Sequence, residues 1–316
     1  MKTVILDWAT MCFNSDLSPE IFKEFGDISV FQLTSPNCVA ERIGNAEIVL
    51  CNKVQITKEI MDKCSDLRYI GLFATGFNNI DIEYAARKGI TVCNAGQYST
   101  DAVAQQVFAY ILDFCCRIRS YDSIVRKGEW EKAECFSYFP ISTAELKGKT
   151  LSIIGFGSIG KRTAAIGNAF GMRVLVNTRT VPENCPYDVC DLDTVVKNAD
   201  FLTLHCPLTN ETKSMINADF LSKMKHSAVL INTSRGAVVN EQDLADALNS
   251  KRLAMAYLDV LEKEPMSPDT PLKHAENCVI TPHTSWSAHE TRIRLLNIVR
   301  ENIRCWINGI PQNKVN

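Results

Sequence analysis

Apolar runs alternate with amphipathic stretches along most of this chain. In the first hundred residues the β-type runs are Val4 to Leu6, Val30 to Leu33, Ile48 to Cys51, Ile70 to Phe73 and Ile90 to Cys93. Between them lie helical patterns such as Lys58 to Lys63 and Ile82 to Arg87. Alternation of this kind predicts a parallel α/β layer. Ser99 and Thr100 read as helix caps, and Val103, Val107, Tyr110, Ile111 and Phe114 then recur at helical spacing, predicting a long helix that joins two domains. A second alternating series opens at Leu151, with β-type runs ending near Gly155, Asn177, Cys206, Asn232, Val260 and Thr281. Six such runs match a doubly wound nucleotide-binding domain. Ile293, Leu296, Val299, Ile303 and Ile307 predict a terminal helix over 288–307, stopped by Gly309 to Pro311.

The second series carries a phosphate-binding signature. Gly155-Phe156-Gly157-Ser158-Ile159-Gly160 follows the strand Leu151 to Ile154 and precedes a helical pattern from Lys161 to Phe170. In that context Gly155 permits a tight turn, Gly157 lets backbone approach a pyrophosphate, and Gly160 allows close helix-to-strand packing. The helix N-terminus offers free N–H groups to phosphate. The next strand, Met172 to Asn177, ends at Thr178-Arg179-Thr180, where NAD-specific sites place an acid. An arginine flanked by hydroxyls suits a 2′-phosphate, so NADPH is the expected preference. A solvated loop arginine in an enzyme that still accepts NADH is the alternative.

Three polar residues follow later strands of the same series. Arg235 stands in Asn232-Thr233-Ser234-Arg235-Gly236, Glu264 lies five residues past the strand-terminal Asp259, and His283 closes Thr281-Pro282-His283. Ligands of open α/β sheets bind at such strand ends. Hydride delivery to a keto carbon builds negative charge on its oxygen, which calls for a guanidinium and a proton donor. A carboxylate beside an imidazole favours the protonated ring and keeps that acid loaded.

Composition narrows the partners. The 316 residues carry 34 Lys and Arg against 36 Asp and Glu. No global field draws such a protein to nucleic acid or to an anionic membrane. No stretch reaches the roughly 18 to 20 apolar residues of a membrane span, and Met1 to Asp7 reads as a first strand rather than a signal peptide. Thirteen scattered cysteines favour reduced thiols in a cytoplasm. Cys185 and Cys190 lack the second pair or nearby histidine that a zinc site needs, so no metal is expected.

Over essentially its whole length the chain resembles the D-isomer-specific 2-hydroxyacid dehydrogenases, most of all their hydroxypyruvate-reducing branch. The resemblance is carried by Ala74 to Asp81, Tyr98 to Gln105, Leu204 to Thr209, the arginine and glutamate segments, and Thr281 to Trp286. It implies a Rossmann cofactor domain (101–286), supplying a homodimer interface, inserted into a flavodoxin-like parallel α/β substrate domain (1–100 and 287–316). It also implies that Arg235 holds the substrate carboxylate and keto oxygen, that His283 exchanges a proton with the C2 oxygen, and that Glu264 pairs with His283. Backbone N–H groups at Thr75 and Gly76 are implied to bind the carboxylate, with Trp286 bordering the pocket. Dinucleotide contacts fall on Ser158, Ile159, Cys206, Pro207, Thr212, Thr233 with its neighbour Ser234, and Asp259, the last on the nicotinamide amide. His205 is expected near the cofactor without direct chemistry, and His226, His274 and His289 at the surface or in packing. The expected reaction is reduction of hydroxypyruvate or glyoxylate to D-glycerate or glycolate. A broad 2-ketoacid reductase or D-lactate type stays open, because Phe77 and Thr284-Ser285 depart from the family's common residues. A non-catalytic dinucleotide-binding regulator is the rival of a different class.

Overall fold

The structure, a computed structural model, describes residues 1–316. The chain divides into two compact units, one formed by Met1–Ser99 with Ser287–Asn316, the other by Thr100–Trp286.

The first unit opens with β1 (Lys2–Ile5) and β2 (Asp27–Val30). Then follow α1 (Val39–Ile43), β3 (Ile48–Cys51), α2 (Lys58–Lys63), β4 (Tyr69–Leu72), α3 (Ile82–Arg87) and β5 (Thr91–Cys93). The strands form one parallel sheet in the order β2-β1-β3-β4-β5, a flavodoxin-like winding. Central β3 and β4 are buried at every residue, as expected for strands covered on both faces. The expected strand at Val30 to Leu33 is displaced towards the N-terminus. Asp27–Val30 is the segment in register with β1, and Leu33 is exposed. Alternating Asp-Ile-Ser-Val at the sheet edge lacks the continuous apolar run that marks an interior strand.

The second unit begins with α4 (Thr100–Cys116) and α5 (Ile118–Arg126). Strand β6 (Thr150–Ile154) leads into α6 (Ser158–Ala169), β7 (Arg173–Asn177), β8 (Asp188–Val189) and α7 (Leu192–Asn198). Then come β9 (Phe201–Leu204), α8 (Ala218–Lys223), β10 (Val229–Asn232), α9 (Glu241–Asn249), β11 (Met255–Leu258) and β12 (Cys278–Ile280). All seven strands are parallel, ordered β12-β11-β10-β9-β6-β7-β8. The strand order reverses between β6 and β9, the crevice where open α/β sheets hold dinucleotides. The seventh strand, β8, is an edge pair of two residues too short to leave a periodic signal. Separate apolar clusters cover the sheet's two faces, one around Leu202, Leu230 and Leu244, the other around Val107, Ile153 and Ile231.

The chain returns to the first unit with α10 (His289–Ile307). Its buried stripe includes Arg292, Leu295, Leu296, Val299, Asn302 and Ile303, while Ile293 and Ile307, expected in that stripe, are exposed. Polar members enter the stripe because each has a partner. Arg292 pairs with Asp16, and the Asn302 side chain donates to the Asn94 carbonyl at 2.7 Å. Beyond α10 the chain lies against β5: Val315 N donates to the Val92 carbonyl, Val92 N to Asn316 Oδ1, and Asn94 N to the Asn313 carbonyl.

Candidate active site

Because the second unit's strands are parallel, their C-terminal ends share one edge. The turn after β6 is made by glycines for reasons of space. Gly155 has φ +94°, and a Cβ there would lie 2.5 Å from the His205 carbonyl carbon after β9. A Cβ on Gly160 would lie 2.3 Å from the Gly155 oxygen. Gly157, exposed at the start of α6, has open space where its Cβ would be, and no side chain caps that helix. Its first N–H groups therefore lie beside open space, where a helix N-terminus can receive an anion. Ser158 and Ile159 are half-buried at the same helix start. After β9, burial pushes the His205 imidazole down to about 3, its Nε2 lying 3.1 Å from Thr203 Oγ1, and raises the Cys206 thiol. Thr212 donates to the Pro207 carbonyl at 2.7 Å and closes the following turn.

After β7, the Thr178 hydroxyl donates to the Thr180 carbonyl at 3.2 Å, and Arg179 is exposed without a carboxylate partner. After β10, the buried Asn232 organises the turn. Its Oδ1 accepts from Ser234 N and Oγ, and its Nδ2 donates to the Arg235 carbonyl at 2.9 Å. Arg235 is exposed, with Nη1 on the Ser234 carbonyl and no carboxylate on it. The buried Thr233 Oγ1 has no hydrogen-bond partner, a condition native interiors seldom tolerate unless a ligand supplies one. This orphaned hydroxyl and the glycine cradle fit a dinucleotide, whose phosphates and amide carry acceptors and donors.

Gly236 ties this turn to the next. A Cβ on Gly236 would fall 1.8 Å from the Leu261 carbonyl carbon, so the chain after β10 rests directly on the backbone after β11. That backbone leads to Glu264, whose Oε1 accepts from Leu261 N at 3.0 Å and whose Oε2 lies 2.7 Å from His283 Nδ1. The pair is partly exposed, 37% for the Glu264 side chain and 29% for His283. His283 has φ +56°, a conformation a side chain adopts only when its surroundings enforce it. The enforcement comes from buried Asp259. Its carbonyl accepts from His283 N at 2.8 Å, and its carboxylate accepts from the Thr281 hydroxyl and from Thr284 N and Ser285 N.

Arg235, Glu264 and His283 thus follow three adjoining strands of one unit, and the last two are in contact. The bracing by Asn232, Gly236, Leu261 and the Thr281 hydroxyl is invisible in sequence. Only the burial of a polar strand-terminal Asn232 would have hinted at it. Half-buried Trp286 closes this unit.

Thr75 and Gly76 belong to the first unit, following β4. The Thr75 hydroxyl donates to the Gly96 carbonyl at 2.5 Å, and Asn94 Nδ2 donates to the Thr75 carbonyl at 2.8 Å. After β1, buried Asp7 gathers the N–H groups of Asn52, Lys53 and Val54. Burial raises its pKa against the pull of those donors. Cys115 is buried and its neighbour Cys116 exposed; His226, His274 and His289 are exposed, the last with Nε2 3.2 Å from the Asp16 carbonyl.

A phosphate-binding glycine turn at the switch point of a doubly wound sheet, with a histidine–carboxylate pair and an unpaired arginine at neighbouring strand ends, defines a nicotinamide-dinucleotide oxidoreductase. The family model described as D-isomer specific 2-hydroxyacid dehydrogenase, NAD binding domain, matches residues 108–285, and the chain belongs to that family. It is 39% identical over 325 residues, covering all of both chains, to a hydroxypyruvate reductase of Blautia hydrogenotrophica. It is 37% identical over 284 residues to a glycerate dehydrogenase of Methylorubrum extorquens, covering 89% of each. Among solved structures, an acyclic imino acid reductase in complex with NADPH and D-arginine matches at 31% identity, TM-score 0.87, over all of both chains. No helix is long and apolar enough to cross a membrane.

Proposed function

We propose that this enzyme reduces hydroxypyruvate, and secondarily glyoxylate, at C2 to give D-glycerate and glycolate. The observation that carries the reading is the 2.7 Å contact between His283 and Glu264 beside the Arg235 turn. A nicotinamide held by this domain would supply the hydride for C2. His283 gives its proton to the C2 oxygen as charge develops there, and Glu264, on Nδ1, orients the ring and favours its protonated form. Arg235 holds the substrate carboxylate and the keto oxygen, its two-pronged guanidinium matching both. Thr75 and Gly76 add backbone donors for the carboxylate, and Trp286 borders the C3 side.

Residues 101–286 act as the dinucleotide domain, and 1–100 with 287–316 as the substrate domain. Gly155, Gly157, Ser158, Ile159 and Gly160 take the pyrophosphate; Cys206, Pro207, Thr212, Thr233, Ser234 and Asp259 take the ribose and nicotinamide. Thr178, Arg179 and Thr180 take an adenine-ribose 2′-phosphate, which favours NADPH. The absence of an acid after β7 supports this, since nothing there repels phosphate.

The protein works as a homodimer in a cytoplasm. Exposed Ile118, Trp130, Phe136 and Phe139 support self-association, because so many large apolar side chains in one short segment are rarely left to water. Thirteen unpaired cysteines support a reducing compartment.

The test is a steady-state panel of hydroxypyruvate, glyoxylate, pyruvate and 2-ketoisocaproate, each with NADPH and NADH. The decisive ratio is kcat/KM for hydroxypyruvate over pyruvate, which differ by one hydroxyl. A site that hydrogen-bonds that hydroxyl rejects its absence strongly. A ratio near one, or better turnover of 2-ketoisocaproate, moves the assignment to a general 2-ketoacid reductase.

A further inference from the structure

Tyr110 occupies a core position of α4 that an apolar residue would fill, yet its hydroxyl ends in a polar chain leading to His283. The ring is buried and stacks on Tyr257 of β11, centroids 5.0 Å apart at 24°. Tyr257 is itself fixed by donating to Asp113 Oδ2 at 2.7 Å. Held in this way, the Tyr110 oxygen lies 2.5 Å from Thr281 Oγ1, and Thr281 Oγ1 lies 2.5 Å from Asp259 Oδ1. A hydroxyl has one proton, and an ionised carboxylate can only accept. Thr281 must therefore spend its proton on Asp259, which leaves Tyr110 as the donor to Thr281. Burial raises the phenol's pKa above its ordinary value, so it remains a donor wherever the enzyme works.

The far end of this chain is the carboxylate that braces residues 281–285. Asp259 receives Thr284 N and Ser285 N at 2.9 Å each, and its carbonyl receives His283 N. Hydrogen bonds in series polarise one another, and bonds to a carboxylate are the stronger kind. His283 at φ +56° depends on that bracing.

We propose that Tyr110 is a positioning residue for the reaction: through Thr281 and Asp259 its hydroxyl holds the turn that presents His283. This rests on the reading of His283 as the proton donor. Were Tyr110 there only for packing, its hydroxyl would be dispensable.

The experiment uses the full chain carrying Tyr110→Phe, which keeps the stacked ring. Backbone amide exchange at Thr284 and Ser285 should quicken about tenfold while β6 amides are unchanged. With hydroxypyruvate and NADPH, kcat should fall about fivefold to twentyfold, with KM and the Kd for NADPH within about twofold, since a group displaced by a fraction of an ångström costs rate before affinity. Thr281→Val should cost as much, and the double variant no more than either alone, because both cut one chain. Wild-type exchange at Thr284 and Ser285, or losses that multiply in the double variant, overturns the proposal. The two readings fail separately. If the unaltered protein reduces none of the ketoacids, the proposed function falls while the exchange result still decides the bracing. If it reduces them and exchange in Tyr110→Phe is that of wild type, only the positioning role falls.

Discussion

Adding a single methyl group at Gly236 should disable the enzyme without touching a reacting atom. In Gly236→Ala the new Cβ would sit 1.8 Å from the Leu261 carbonyl carbon, 2.0 Å from its oxygen and 2.3 Å from Glu262 N. All three are backbone atoms, so no rotamer change relieves the contact. Ordinary contact begins near 3.4 Å, and the turn after β10 must therefore separate from the segment after β11 by about 1.6 Å. One turn carries Arg235 and the other leads to Glu264, so their spacing changes by a similar amount. A misplacement of about 1 Å costs on the order of 10²-fold in rate, or about 2.7 kcal/mol. Overpacking adds a stability loss of about 1–3 kcal/mol, roughly 2–12 °C in the Tm of a unit this size. The assay is kcat/KM for hydroxypyruvate at a temperature where circular dichroism shows the variant folded, with NADPH affinity read by fluorescence. Expected are a loss of two orders of magnitude or more in kcat/KM and a weaker NADPH affinity, since the displaced turn also carries Thr233 and Ser234. Turnover within threefold of wild type would show that the Gly236 contact does not set the Arg235–Glu264 spacing.

His283→Ala should lower ketoacid reduction by about 10²-fold or more, the scale of general acid catalysis, with NADPH binding nearly intact; near-wild-type turnover removes His283 from its role. Thr178→Asp should lower the NADPH-to-NADH ratio of kcat/KM by at least about tenfold, through repulsion of the 2′-phosphate and new ribose hydrogen bonds, and a strong NADH preference in the unaltered enzyme defeats the premise. Glu24 carries a pH dependence of stability. Arg300 and then Arg304 hold its carboxyl down at about 2, against an unfolded value of about 4.3. The bond's contribution is full above the unfolded value and is lost as pH falls towards 2. Glu24→Gln should cost about 1 kcal/mol at pH 7, given solvent screening, with the Tm difference from wild type closing between pH 4.5 and 2; a difference that persists at pH 2 refutes the electrostatic account.

The alternation of runs was enough to read two parallel sheets, because a strand covered on both faces needs an unbroken apolar run, as in Ile48–Cys51 or Val229–Ile231. The helices over Lys58–Lys63 and Ile82–Arg87 lie where their spacing puts them. Edges defeated the same logic. β2 alternates polar and apolar and begins three residues before the apolar run Val30 to Leu33, and β8 is two residues long. In α10 a periodicity of apolar letters could not anticipate a buried arginine made tolerable by Asp16, or an asparagine that serves the Asn94 carbonyl. At the candidate site the residue types were legible from the glycine turn and strand-terminal positions. Their spacing was not, since it depends on Gly236 lying against Leu261 and on a tyrosine hydroxyl that periodicity counts as apolar.

The strap of Asn313–Asn316 along β5 makes the first unit a structure that closes late during synthesis. Strand β5 is complete when residue 93 has been made, but the groups that pair with Val92 and Asn94 arrive about 220 residues later. At roughly 5–20 residues per second that interval is on the order of ten to forty seconds. Throughout it, β5 is an unpaired sheet edge of the kind that recruits other chains, and α10, with the buried leucines that cover the unit, is also still to come. The inserted unit has all its strands by residue 280 and can fold first. Aggregation of nascent chains should therefore begin at the first unit, although its residues are the first to leave the ribosome.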